Sequence, residues 1–223
     1  MVILSTKELN KKQVALLDQK KFALIHANFI KIKWLKFVAN KSNECLIFTS
    51  KNAVKGVLKS NDIKTIKEKD CFCVGEKTKM FLEKNGFTVV THQKDANTLA
   101  ETICKEYFQK TFTFFSGTLR KDILPKKLAA KKIHLDEISV YKTLSQSKKI
   151  ILETVAILFF SPSAVASYLE TNTLTNQVCF CIGHTTAQAI GEYTNSQKTN
   201  QIVIASEPTI ESVIEEVIKY YNV

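Results

Sequence analysis

The chain has 223 residues, 45% hydrophobic and 24% charged, which is typical of a folded protein with one large or two small domains. This balance excludes an intrinsically disordered chain. No basic segment precedes the apolar residues 2–4, and no apolar run approaches the roughly 18 residues that span a membrane. We therefore expect neither a signal peptide nor a membrane anchor, and a cytoplasmic protein.

The formal net charge of +11 favours an acidic partner or reflects only a lysine-rich proteome. Among the 32 basic residues Arg120 is the one arginine, and the lysines are scattered over every segment. Proteins that read nucleic acids use clustered arginines beside aromatic residues. We therefore expect no nucleic-acid partner, although a diffuse positive field still steers a small polyanion.

Short apolar runs alternate with amphipathic stretches, a pattern typical of an α/β fold with buried parallel strands. Strands are predicted at residues 2–4, 22–25, 45–48, 71–74, 86–90, 111–115, 156–160, 179–182 and 202–205. Helices are predicted at 7–18, 97–107, around 123–128, and after residues 50, 78, 161, 186 and 208. Residues 29–34 and 134–143 instead alternate polar and apolar side chains, which predicts two half-exposed strands that pair as a crossover.

Two blocks of the chain occur twice. Residues 46–54 resemble 157–165, and residues 71–78 resemble 179–186. Ser50 and Ser161, Gly75 and Gly183, and Thr98 and Thr209 repeat at nearly constant spacing, which indicates an internal duplication of domain size. The strand at 111–115 has no later copy, and its plausible counterpart is the N-terminal strand.

One domain is therefore expected to be inserted into the other. Residues 1–31 and 144–223 would form a discontinuous α/β domain, 35–137 the inserted α/β domain, and 30–34 with 138–143 a two-strand linker. Such a linker permits hinge motion, and ligand sites favour the cleft between domains of this kind.

Each repeated block has a strand, then a hydroxyl residue or glycine, then the start of a helix. Helix N-termini at the carboxyl edge of a sheet bind anions through backbone N–H groups, so four such turns predict a polyanionic ligand. Ordinary helix caps of an α/β fold are the alternative explanation.

The six cysteines allow a metal site or buried thiols. All but Cys104 lie in predicted strands, and the Cys-x-Cys spacing places each pair of sulfurs on one strand face. No histidine follows at zinc-ligand spacing, so we expect reduced core thiols and no metal.

The sequence resembles the uroporphyrinogen-III synthase family over essentially its whole length. The segments that carry the resemblance are 48–54, 74–78, 116–124, 140–143, 159–165, 182–187 and 208–209. The family commonly has proline where this chain has Lys51 and His184. His184 could be a ligand or base, and the alternative is a solvent-facing turn residue.

The resemblance implies two flavodoxin-like domains and a monomeric enzyme without a cofactor. It implies cyclisation of the linear tetrapyrrole hydroxymethylbilane to uroporphyrinogen III, with ring D inversion and loss of water. Tyr141 matches the family's linker tyrosine and is the expected proton donor, unless it is an ordinary strand aromatic. The implied substrate-binding residues are Ser50, Gly75, Thr78, Ser116, Gly117, Arg120, Ser161, Ser163, Gly183, Thr185 and Thr186.

Two other functional classes are alternatives to the synthase. A two-domain sensor could bind a polyanion without converting it, and an isomer assay separates this from the synthase. A nucleotide-binding enzyme is disfavoured, since the 6 glycines form neither a G-x-x-x-x-G-K-[ST] nor a G-x-G-x-x-G motif.

Overall fold

The computed structural model describes residues 1–20, 22–39, 43–193 and 201–222. The chain divides into two compact units, one comprising Met1–Lys31 with Leu144–Val223 and the other Ile32–Thr143. The elements, in chain order, are β1 Val2–Ser5, α1 Lys11–Asp18, β2 Ala23–His26, β3 Ile30–Trp34, β4 Cys45–Phe48, α2 Lys51–Val57, α3 Ile63–Lys67, β5 Asp70–Val74, α4 Glu76–Lys84, β6 Val89–Gln93, α5 Ala96–Glu106, β7 Phe112–Gly117, α6 Ile123–Ala130, β8 Leu135–Ser145, β9 Ala156–Phe159, α7 Pro162–Leu169, β10 Val178–Cys181, α8 His184–Tyr193, β11 Ile202–Ile204 and α9 Ile210–Tyr221.

The discontinuous unit contains a five-stranded sheet in the order β11-β10-β9-β1-β2. All four of its neighbouring strand pairs are parallel. The strands β9 and β10 are buried along their whole length, as their wholly apolar sequences predict. One core cluster covers each face of this sheet, around Leu158 with Phe180 on one side and Phe159 with Cys179 on the other.

The continuous unit contains a six-stranded sheet in the order β3-β8-β7-β4-β5-β6. The strands from β8 to β6 are parallel. The alternating strand β3 is half-exposed and lies beside β8. Core clusters around Phe48 and Phe72 cover opposite faces.

The duplication is visible in the topology. In the continuous unit β4 to β8 run in the order β6-β5-β4-β7-β8, and in the other unit β9, β10, β11, β1 and β2 run as β11-β10-β9-β1-β2. The N-terminal strand β1 thus occupies the place of β7. The predicted α/β fold class is confirmed. In chain order the discontinuous unit has the strand order 2-1-3-4-5 of flavodoxin-like sheets, whereas β4 to β8 of the continuous unit have the order 3-2-1-4-5.

The structure corrects three element predictions. The first helix begins at Lys11 and not at residue 7, because Asn10 and Gln13 form a reciprocal capping box. The strand predicted at 86–90 begins at Val89 instead, since Gly86 has φ +79° and forms a turn. The five-residue helix α3 was not predicted at all.

All six cysteines lie in the described part of the chain, and all six are free. Five are buried, and Cys71 and Cys73 pack in one core cluster while Cys179 and Cys181 share another. Burial raises the pKa of Cys73, Cys179 and Cys181 to about 12. These thiols are therefore neutral at physiological pH and poor nucleophiles.

Alkaline solution should therefore destabilise the protein. An unfolded thiol has a pKa of about 8.5, whereas burial raises the pKa of Cys179 and Cys181 to about 12. The stabilisation is fully present below about pH 8.5 and is lost as the pH rises towards 12. We expect urea unfolding midpoints to fall between about pH 8 and about pH 10. A Cys179→Ala, Cys181→Ala variant, which keeps two neutral apolar side chains there, should show a shallower fall, and an equal slope would contradict the assignment.

In the described residues, no helix combines the length and apolar character needed to cross a membrane. In the same residues no three side chains among His, Cys, Asp and Glu are grouped so as to hold a metal ion.

Candidate active site

The carboxyl ends of four neighbouring strands, β8, β7, β4 and β5, meet at one edge of the six-stranded sheet. Tyr141 in β8 pairs with Gly117 at the end of β7. Ser50 follows β4, and Gly75 follows β5. In parallel sheets ligands bind outside this carboxyl edge, so these residues mark the candidate site of the continuous unit.

Tyr141 contacts Ser50 across the end of β7. The phenolic oxygen of Tyr141 lies 3.2 Å from the hydroxyl oxygen of Ser50, and either group could donate. Ser50 is also the N-cap of α2, where its Oγ accepts a hydrogen bond from the Ala53 N–H at 3.2 Å. The cap thereby fixes the hydroxyl that faces the phenol.

The aromatic ring of Tyr141 lies directly against Gly117. A Cβ atom at Gly117 would stand 2.5 Å from Cζ and 2.9 Å from the phenolic oxygen of Tyr141, distances that real contacts do not reach. The backbone N–H of Thr118 also donates to the carbonyl of Tyr141 at 3.1 Å. Glycine at this position is therefore what lets the ring lie over the end of β7.

A shift in the register between β7 and β8 sets the direction of the Tyr141 side chain. Ser116 pairs with Ser139, but Gly117 pairs with Tyr141, so Val140 is one residue extra in β8. Strict alternation would send Val140 and Tyr141 to opposite faces, whereas both pack on the core cluster around Phe48. The irregularity thus re-aims Tyr141, as bulges beside active sites often do.

The sequence did not single out Trp34, which adjoins Tyr141, or Lys59, which adjoins Trp34. The ring of Trp34 packs edge-on against Tyr141, with centroids 6.4 Å apart. The ammonium group of Lys59 lies over Trp34, 5.6 Å from the ring centroid. Trp34 lies in the strand that was predicted to pair with residues 134–143, and the structure places β3 beside β8. The aromatic contact itself was not predicted.

Arg120 is bound to carboxylates of its own unit. Its guanidinium pairs with Asp122 and with Glu137. Partial burial alone would lower the pKa of Arg120, but these two bonds outweigh it and raise the pKa. The residues that line a polar depression here are Ser116, Gly117, Thr118, Arg120, Asp122, Glu137 and Ser139. Arg120 therefore lies at the predicted edge, with its charge compensated.

The turn after β5 differs from the other predicted anion-binding turns. Gly75 has φ +81°, a conformation that favours glycine, and α4 begins at Glu76. The Glu76 carboxylate is held by the Nε2 of His92 at 2.7 Å. A negatively charged side chain of the protein thus already lies in the first turn of this helix, which disfavours a second anion there. Thr78 is buried, so its side chain faces the core.

The discontinuous unit places its predicted residues at two helix starts. Ser161 caps α7, where its Oγ accepts from the Ala164 N–H at 3.1 Å, and Ser163 is half-buried in the first turn. Gly183 precedes α8, and the first residues of that helix, His184 and Thr185, are exposed. His184 thus matches the solvent-facing alternative.

Thr186 is 1% exposed, and its backbone N–H donates to the carbonyl of Gly183. Its side chain is therefore part of the core packing of α8. A bulky replacement at Thr186 would disturb this packing directly, so it is a poor probe of substrate binding.

Within the continuous unit the structure thus brings Tyr141, Ser50 and Gly117 into contact, and Ser116 and Arg120 share the adjoining depression. Gly75 and Thr78 lie at the next turn along the same sheet. The predicted residues 161, 163, 183, 185 and 186 belong to the other unit.

The model of the family described as "Uroporphyrinogen-III synthase HemD" matches residues 11–215. The chain belongs to the uroporphyrinogen-III synthase family. The predictions of a cyclising lyase and of porphyrin and heme biosynthesis are thereby confirmed, and the family is one of cofactor-independent enzymes. Nothing in the comparisons supports the non-catalytic sensor.

Solved structures of uroporphyrinogen-III synthases show the same fold at low identity. The Helicobacter pylori protein aligns with a TM-score of 0.75 at 19% identity, covering 98% of each chain. A mutant form from Thermus thermophilus aligns at 0.69 and 13% identity, covering 100% of this chain and 99% of that one. The wild-type Thermus thermophilus protein aligns at 0.56 and 13% identity, covering 100% of this chain and 98% of that one.

Proposed function

We propose that this chain converts hydroxymethylbilane to uroporphyrinogen III, with Tyr141 as the proton donor for the departing hydroxyl. The observation that carries the proposal is the placement of the Tyr141 phenol at the carboxyl edge of the sheet, fixed by Gly117 and Ser50. A phenol held by neighbours on several sides is suited to general acid catalysis, because its proton is presented in one direction.

The cyclisation needs one proton for the departing hydroxyl and a defined arrangement of the substrate's pyrrole rings. The phenolic proton passes to the hydroxyl oxygen of the substrate, the carbon–oxygen bond breaks, and water departs to leave an electron-poor azafulvene cation. Ring D attacks through its substituted carbon to give a spiro intermediate, which fragments and recombines with ring D inverted. The proton released when the last pyrrole regains aromaticity returns to the phenolate, so the net change is loss of one water molecule.

Because hydroxymethylbilane also closes without an enzyme, to the isomer without inversion, much of the task is to hold the chain of rings in the productive geometry. The substrate carries an acetate and a propionate on each pyrrole. We propose that these carboxylates bind at the strand-to-helix turns of each unit, through backbone N–H groups and hydroxyls.

The residues proposed for this role are Gly75, Thr78, Ser116, Gly117, Arg120 and Ser50 in the continuous unit, and Ser161, Ser163, Gly183, Thr185 and Thr186 in the other. These turns should differ in how strongly they bind a substrate carboxylate. The first turns of α7 and α8 carry no acidic residue, whereas the first turn of α4 carries Glu76. The starts of α7 and α8 are therefore the stronger anion sites.

We further propose a cytoplasmic, monomeric enzyme. Six free cysteines, five of them buried, suit a reducing compartment. Sedimentation equilibrium should return the chain mass of 25.2 kDa, and a mass twice as large at micromolar concentration would contradict a monomer.

Activity should survive exhaustive dialysis against a chelator, because the proposed proton donor is a phenol and the family needs no cofactor. The measurement is the rate of type III formation before and after dialysis, with a zinc-dependent hydrolase treated alongside as a positive control. Loss of the type III product that added metal restores would contradict this prediction.

The proposal is tested by supplying hydroxymethylbilane, oxidising the products and separating the isomers. The expected result is type III in excess of type I. A protein that binds hydroxymethylbilane but leaves type I as the product at the spontaneous rate would contradict the proposed activity.

A further inference from the structure

We propose that Ser50 is a positioning residue that donates a hydrogen bond to the phenolic oxygen of Tyr141 and thereby aims the phenolic proton at the substrate. The inference rests on the proposed function. It leaves Ser50 only its backbone N–H for contact with substrate, because its one hydroxyl proton goes to Tyr141. It starts from the 3.2 Å contact between the two hydroxyl oxygens.

The proposed donor direction follows from what the proton transfer needs, since either hydroxyl could donate in this contact. A serine hydroxyl has one proton and two acceptor positions, and so has a phenol. One acceptor position of Ser50 Oγ is taken by the Ala53 N–H at 3.2 Å. If Tyr141 donated to Ser50, its only proton would point towards α2 and could not reach a leaving group. If Ser50 donates, its proton goes to the phenolic oxygen of Tyr141, and the phenolic proton remains free to be transferred to the substrate.

The same hydrogen bond assists the transfer itself. When Tyr141 gives up its proton its oxygen becomes negatively charged, and a hydrogen bond to a charged oxygen is stronger than one to a neutral oxygen. The donation from Ser50 therefore stabilises the state after proton transfer more than the state before it, which is the condition for accelerating a step.

Other contacts keep the two groups together. The ring of Tyr141 lies against Gly117 on one side and packs on Trp34. Ser50 has the extended backbone of an N-cap, with φ −156°, and its hydroxyl is tied to the first turn of α2. Neither side chain is fully exposed, so the pair is preformed and only partly hydrated.

The test compares kcat, KM and isomer ratio for three Ser50 variants. Ser50→Ala removes both cap and donor, whereas Ser50→Gly removes the donor but remains an acceptable N-cap residue, which guards against a variant that fails to fold. Ser50→Thr keeps the hydroxyl. We expect kcat to fall by about 5- to 10-fold in the first two, the size of one net hydrogen bond, with KM changed by less than about twofold. Ser50→Thr should restore most of the rate.

Asp95→Ala is the matched control for loss of a cap. Asp95 caps α5 in the same unit, accepting from the Thr98 N–H at 2.8 Å, and its side-chain hydrogen bonds within the described part of the chain go to Thr98 and not to Tyr141. This variant should lose a comparable amount of thermal stability while kcat stays within about twofold of wild type.

The decisive comparison repeats Ser50→Gly in the Tyr141→Phe background. If Ser50 acts through the phenolic hydroxyl, its removal should change kcat by less than about twofold once that hydroxyl is absent. An equal loss in both backgrounds, a loss confined to KM, or an equal kcat loss in Asp95→Ala would overturn the inference while leaving the synthase activity standing. If the wild-type protein makes no type III isomer, the proposed function itself fails and the inference with it.

Discussion

Tyr141→Phe is expected to slow type III formation by about 10²-fold without abolishing it, the low end of the range for a positioned general acid. The low end applies because the hydroxyl departs from an electron-rich pyrrole that already expels it. Positioning by the turns and by the rest of the sheet edge persists in the variant. The aromatic contact with Trp34 also persists, so the loss reports the hydroxyl and not the ring.

The measurement is the initial rate of type III formation at saturating hydroxymethylbilane, corrected for spontaneous type I. Tyr168→Phe provides a control, since this buried tyrosine lies in the other unit and its hydroxyl makes only a long 3.4 Å bond to a carbonyl. That control should keep its rate within about twofold. A Tyr141→Phe protein with wild-type rate and isomer ratio would contradict the role of Tyr141 as proton donor. Catalysis would then rest on the positioning of the substrate alone.

Gly117→Ala is expected to reduce the rate about as much as Tyr141→Phe, at little cost in stability. The new Cβ would meet three atoms at the far end of the Tyr141 side chain within 3 Å, so the ring must rotate away. Because a side-chain end moves and not backbone, we expect the free energy of unfolding to change by no more than about 1 kcal/mol. Gly117 is not among the residues with positive φ, so alanine can adopt its backbone conformation.

The matched control is Gly191→Ala in α8. Apart from the backbone of that helix and the two neighbouring residues, no atom of the described residues lies within 4 Å of the added Cβ. Alanine there should keep the rate and raise the helix propensity. Combining Gly117→Ala with Tyr141→Phe should cost little beyond either single change, since both remove the same aimed hydroxyl. A Gly117→Ala protein that folds and retains its rate would show that the position of the ring over β7 does not matter.

Much of the fold follows from local sequence because its strands are buried on both faces. The wholly apolar runs that became β4, β9 and β10 admit few other structures, and the hydroxyl residues Ser50 and Ser161 after them cap helices as predicted. The repeat of these blocks was enough to predict two similar sheets, including the pairing of the N-terminal strand with the later copy.

The interior of the site could not be predicted in the same way. The extra residue at Val140, which turns Tyr141 to the face of Ser50, depends on the pairing of β8 with β7 and leaves no mark in local sequence. Gly117 was selected as a substrate-binding residue, whereas its visible role is to make room for a ring. The resemblance implies that Arg120 binds substrate, and its carboxylate partners are apparent only from the structure.

If this sheet edge directs ring D inversion, the ratio of the type III to the type I isomer reports that control without any intermediate step. Purified protein is titrated into hydroxymethylbilane, and types III and I are quantified at each concentration. We expect the amount of type III to rise with protein concentration until type I is suppressed. Tyr141→Phe and Gly117→Ala should need about 10²-fold more protein for the same isomer ratio. A ratio that stays at the spontaneous value at every protein concentration would contradict this prediction.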